Sequence, residues 1–160
     1  MTAKETILTK LDELNISYKV FNHEPIMTME QGKDIEKQMG VPAVKTLLLV
    51  NHHKQFFMVL LPADKKLNIK ELAKQIGSGH LSFASADDIS RLLHAYPGAV
   101  GPLGLLFDEN KEIKLIIDKE LTQQHKVAMH PCENNCSLRL DFQDFIKVYL
   151  PSLGVQYMQI

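Results

Sequence analysis

The sequence predicts an α+β domain built on a mixed, mainly antiparallel sheet packed with helices. Three observations carry that expectation: marked helix starts, β-type runs between them, and no regular strand-helix-strand alternation. The helix starts pair a capping residue with an acid or amide three positions on: Thr2 with Glu5, Thr28 with Gln31, Asn68 with Glu71, Ser85 with Asp88, and Asp141 with Asp144. Behind Asn68, the apolar Ile69, Leu72, Ala73 and Ile76 recur at helical spacing until Gly77, leaving Lys70 and Lys74 for solvent. The β-type runs are SYKVF, KTLLLV, FFMVLLP, LSFAS, GLLF, IKLIID, KVAMH and CSLRL. Polar NHHKQ and DENKE are expected to close hairpins between two pairs of them.

Composition bounds the rest. A chain of 160 residues, 45% of them hydrophobic, can bury one good core, so residues 1–160 read as a single domain. A formal net charge of −1 leaves little long-range attraction for phosphates, which argues against DNA and nonspecific duplex binding; a nucleic acid partner would need a local patch. The charged start MTAKETILTK is unlike a signal peptide, and the apolar run FFMVLLPA is too short to span a bilayer. Cys132 and Cys136 are the whole cysteine complement, so a disulfide framework is not expected and a cytoplasmic protein without membrane contact is.

Three places can carry chemistry. Lys45 opens the apolar run KTLLLV, where its ammonium could meet a phosphate or a carbonyl; a lysine snorkelling from a strand end is the alternative. YPGAVGPLGLLF interleaves Gly98, Gly101 and Gly104 with Pro97 and Pro102. Such a loop either offers backbone amides to an oxyanion or is simply a turn. It has neither a Walker nor a dinucleotide pattern. The third is HPCENNCSL. His130, Cys132 and Cys136 have a spacing only marginally suited to zinc, with no second cysteine pair, and Cys136 alternates with Leu138 and Leu140 as a core thiol would. A Cys132–His130 nucleophilic pair is as weakly supported.

Taken in order, VPAVKTLLLV, LLPADKKLNIKELAKQIG, LSFAS, PGAVGPLGLLFD, IIDKEL and VAMHPCENN resemble, almost end to end, the YbaK/ProX family of free-standing prolyl-tRNA editing proteins. The resemblance implies the fold of the editing domain associated with prolyl-tRNA synthetase. It also implies hydrolysis of the ester joining a wrong amino acid to the 3′-terminal ribose of tRNA(Pro), with no metal, cofactor or covalent nucleophile. HPCENN is similar to the His-Pro-x-x-Asn element of members that deacylate alanyl-tRNA(Pro). KTLLLV, with Thr46 where asparagine commonly follows the lysine, is closer to the cysteine-editing branch, and Gly101, Leu103 and Asn135 also depart from the alanine-type pattern. By the same resemblance Lys45, Gly98 and Pro102 match catalytic positions, and Thr46, Ala99, Val100, Gly101, His130 and Asn134 match the substrate pocket. The implied partner is the acceptor end of mischarged tRNA, with prolyl-tRNA synthetase or an elongation factor as candidate carriers. A catalytically inert tRNA- or synthetase-binding module and a small metalloprotein are the alternatives from other classes.

Overall fold

The computed structural model describes residues 1–160, the side chain of Met29 excepted. Four of the five capped starts form as the local chemistry dictates. Helices α1 (Ala3–Glu13) and α2 (Met29–Met39) open on reciprocal capping boxes at Thr2 and Thr28; in α3 (Ile69–Ile76) and α4 (Ala86–Leu93), Asn68 and Ser85 accept from the N–H three residues on. Gly40 and Gly77 end α2 and α3 in left-handed conformation. Asp141 instead accepts from the N–H of Gln143, and the segment it starts is not a plain helix. A short α6 (Phe142–Asp144) passes into a π turn (Phe145–Tyr149) and then α7 (Leu150–Leu153). Pro151, which has no N–H to continue an α pattern, lies just after the π turn.

The strands form two ladders. Strands β1 (Tyr18–Asn22), β7 (Cys136–Asp141) and β6 (Lys126–Met129) lie in the order β1-β7-β6, all antiparallel. The larger ladder runs β4-β2-β3-β5-β8, from β2 (Val44–Val50), β3 (Phe56–Pro62), β4 (Ser82–Phe83), β5 (Ile113–Ile117) and β8 (Tyr157–Gln159). Within it β3 pairs antiparallel with β2 and parallel with β5. A bridge between Ala43 and Ala128, with the Ala128 N–H donating to Pro42 O, joins the ladders just before β2.

β3 is central, so both its faces must be apolar. Phe56, Met58 and Leu60 enter the main core with Leu138, Leu140, Phe142 and Tyr149, while Phe57, Val59 and Leu61 pack with Leu72 of α3. Each such side chain contributes about 1.5–3 kcal/mol by leaving water.

NHHKQ is a hairpin turn closed by buried Asn51, whose side chain accepts from the N–H groups of His53 and Gln55 and donates to Ser78 O. GLLF and DENKE differ from expectation. Pro102–Phe107 is a 3₁₀ helix, opened by the Gly104 N–H donating to Gly101 O, so no strand precedes DENKE and no hairpin forms there. Buried Asp108 accepts from the N–H groups of Glu112 and Ile113 and turns the chain into β5. β8 and the single turn α5 (Lys119–Thr122) carry no pattern long enough to read from sequence. Among the described residues no helix is long and apolar enough to cross a membrane.

Candidate active site

A cleft of about 430 Å3 opens where β2 loses its outer neighbour. β4 pairs with β2 only at Leu49 and Val50, and the Ala84 N–H donates to Leu48 O, so the first half of β2 has a free edge. Peptide groups in an antiparallel strand alternate in direction. The Thr46 peptide, two residues before Leu48, is therefore aimed at the same side, into the opening. Opposite this edge stand Pro97, Gly98 and Val100, and Ile89 of α4, Phe83 and Ala84 close one side. His130, one residue beyond β6, completes the wall.

Six of the residues singled out in the sequence line this cleft: Lys45, Thr46, Pro97, Gly98, Val100 and His130. Ala99, Gly101 and Pro102 are buried behind it. Asn134 supports the loop from outside: it accepts from the Tyr96 hydroxyl at 2.9 Å, its own N–H donates to that hydroxyl, and its Nδ2 would lie 3.8 Å from a Cβ on Gly98.

Two glycines are demanded for different reasons. Gly98 has φ 94°, a conformation that strains any L side chain although a Cβ there would meet only ordinary contact with Asn134 Nδ2. Gly101 has ordinary dihedrals but no room, since a Cβ there would sit 2.5 Å from the carbonyl oxygen of His130. It is the contact that seats the loop on the β6 strand end. Gly101→Ala should therefore lower stability by about 1–3 kcal/mol through overpacking, read as a reduced Tm in thermal denaturation. An unchanged Tm would mean that the loop does not rest on His130. Beyond Pro102 the loop is tied down again, where the buried Tyr149 hydroxyl donates to Leu103 O at 2.6 Å.

The electrostatics are sparse. Lys45 is half-buried and makes no ion pair among the described residues. Burial holds the His130 imidazole below its ordinary pKa, the Cys136 carbonyl opposing the shift and His23 adding to it. His130 Nδ1 lies 2.9 Å from that carbonyl. A carbonyl only accepts, so Nδ1 carries the hydrogen and Nε2 of the neutral ring is an acceptor. The His23 ring stands 6.3 Å away, held by Ser137 Oγ at 2.8 Å and Glu24 O at 2.8 Å.

Cys132 has the geometry of a structural thiol. It is buried with φ 65°, its Sγ donates to Leu93 O, and burial pushes its pKa up to about 12. Cys136 is likewise buried in the main core, in line with Leu138 and Leu140. Among the described residues no three metal-ligating side chains come together, and of HPCENNCSL only His130 lines the cleft.

Sequence reasoning missed Phe83, Ile89 and His23. Phe83 sits in a two-residue strand and Ile89 in α4, and both reach the cleft only through tertiary packing. His23 follows β1 directly in the string NHEP, a signal that was present but not distinctive.

Residues 23–148 match the family model described as the aminoacyl-tRNA editing domain. The chain is 37% identical over 149 residues to the prolyl-tRNA editing protein ProX of Acetoanaerobium sticklandii, covering 92% of this chain and 91% of that one. It is 33% identical over 88 residues to a proline–tRNA ligase of Trichlorobacter lovleyi, a match to 53% of this chain and 15% of the ligase. A solved structure described as a candidate trans-editing enzyme for prolyl-tRNA synthetase superposes with TM-score 0.74 at 17% identity, covering 99% and 96% of the two chains.

Proposed function

The chain belongs to the aminoacyl-tRNA editing domain family, and from that membership we propose that it is a trans-acting hydrolase of mischarged tRNA(Pro), with alanyl-tRNA(Pro) the preferred substrate. Residues 1–160 act as one editing unit. The observation that carries the reading is the cleft, where an ammonium without an ion pair, a neutral imidazole and a glycine loop meet at a free strand edge.

Each part has a chemical use. The reaction adds water across the ester: the water oxygen bonds the carbonyl carbon, the bond to the ribose 3′-oxygen breaks, and that oxygen leaves with a proton. Charge develops on the carbonyl oxygen as the water attacks. Lys45 meets that charge or the adjoining phosphate, and the peptide groups of Thr46 and the Gly98–Val100 loop offer fixed dipoles beside it. His130 Nε2 faces the reacting groups as an acceptor for the substrate ammonium or a ribose hydroxyl. The branched Val44, Ile89 and Val100 limit the aminoacyl side chain to a small one.

Editing of this kind is needed because a proline pocket discriminates against a smaller side chain by only about 1–3 kcal/mol per missing methylene. A second, tighter pocket supplies the missing discrimination. The test is hydrolysis of tRNA(Pro) charged in turn with proline, alanine and cysteine. Alanyl ester should be cleaved at least tenfold faster than prolyl ester, the low end of what one methylene difference provides. A cysteinyl preference, which Thr46 after Lys45 would favour, moves the substrate within the same reaction. Cleavage of none of the three sinks the proposal.

A further inference from the structure

The outer face of the three-stranded ladder carries a second, separate feature. A groove of about 420 Å3 is lined by Tyr18, Lys19, Val41, Lys126 and Arg139. Strand alternation puts Lys19, Phe21, Arg139 and Lys126 on this face, because Val20, Leu138, Leu140 and Val127 face the main core. Lys19 and Arg139 are register partners across β1 and β7. Phe21 lies between them: Lys19 Nζ stands 5.2 Å and Arg139 Cζ 5.5 Å from its ring centroid. Arg139 is held further by donating to Met39 O at 3.0 Å.

Two carboxylates border the groove, and both are engaged. Asp141, opposite Lys126 in register, accepts from the Gln143 N–H, and Asp12 accepts from the Tyr18 hydroxyl. Neither Lys19, Lys126 nor Arg139 makes an ion pair among the described residues. On a chain whose net charge is −1, three cations without an ion pair around one groove favour an anion there.

Groove and cleft are linked by two short stretches of backbone. Val41 lines the groove and Lys45 the cleft; Lys126 lines the groove and His130 the cleft. Four residues of strand span roughly 13 Å, the scale of a few nucleotides of single strand. We propose that this groove binds the backbone phosphates of the unpaired tRNA 3′ end, just upstream of the ester held in the cleft. The assignment rests on the tRNA substrate proposed above. Lys19 and Lys126 are positioning residues here, touching phosphates and not the reacting atoms.

The test uses the whole protein and the exposed pair, Lys19→Ala with Lys126→Ala, since Arg139 is packed and its loss would disturb the sheet. Each phosphate contact to a single strand adds about 0.7 to the log–log salt slope, or roughly fourfold in affinity between 0.15 M and 1 M salt. The double variant should bind uncharged tRNA about tenfold more weakly at 0.15 M salt, with a slope shallower by about 1.4. It should hydrolyse alanyl-tRNA(Pro) with raised KM and unchanged kcat, and a minimal 3′-alanyl-adenosine ester at the wild-type rate. Affinity and slope within twofold of wild type overturn the assignment, as does a wild type that binds tRNA without salt dependence. Loss of minimal-ester hydrolysis in the double variant also overturns it, because the lysines would then be acting on the cleft. A wild type that binds tRNA with the expected slope but cleaves neither ester sinks the hydrolase reading alone.

Discussion

Lys45→Ala is expected to slow deacylation of mischarged tRNA(Pro) by about 10²–10³-fold, the usual loss when one preorganised group facing developing charge is removed. The fold should survive it. Lys45 is half-buried at a free strand edge and makes no ion pair among the described residues, so truncation abandons no buried carboxylate. Circular dichroism and Tm should therefore stay close to wild type while kcat falls. Lys45→Arg separates charge from shape: a guanidinium keeps the charge but spreads it over a planar fork, and should restore only part of the rate. Near-normal turnover by the alanine variant, with native circular dichroism, would place the reacting carbonyl away from β2.

Lys45 stood out in the sequence as a cation opening KTLLLV, but the pattern fits a lysine snorkelling from a strand end equally well, and only the fold puts it in the cleft lining. The helix caps were legible, since Thr2, Thr28, Asn68 and Ser85 act on N–H groups three residues away and need nothing else from the fold. GLLF was misread because a glycine followed by three apolar residues fits a buried strand as well as a 3₁₀ turn. The choice falls to Pro102 and to the Gly101–Gly104 bond. The need for Gly101 lies in the His130 carbonyl, 29 residues away in the chain, which no local pattern can announce. The outer groove was invisible for the same reason: Lys19, Lys126 and Arg139 look like ordinary solvated charges until β1, β7 and β6 are laid side by side.

The proton acceptor for the attacking water is the remaining question of mechanism, and the cleft narrows the field. Cys132, with its thiol pushed up to about 12 and donating to Leu93 O, is no thiolate at neutral pH, and no carboxylate lines the cleft among the described residues. Two acceptors remain: His130 Nε2, and the 2′-hydroxyl that the substrate itself places beside the ester. An imidazole whose pKa is lowered by burial is a weaker base than usual and gains less by taking a proton. The substrate hydroxyl, held next to the carbonyl by the ribose ring, can take the water's proton while passing its own to the departing 3′-oxygen, so position rather than basicity serves it. Alanyl-tRNA(Pro) whose terminal adenosine lacks the 2′-hydroxyl should accordingly bind with little loss but hydrolyse about 10²–10⁴-fold more slowly. Cys132→Ser, which leaves both acceptors in place, should change the rate little. Full-speed cleavage of the deoxy substrate would reject the substrate-assisted route and transfer the proton to His130. In that case His130→Gln, which keeps a hydrogen-bonding side chain but cannot take up a proton, would abolish the rate that the deoxy substrate had preserved.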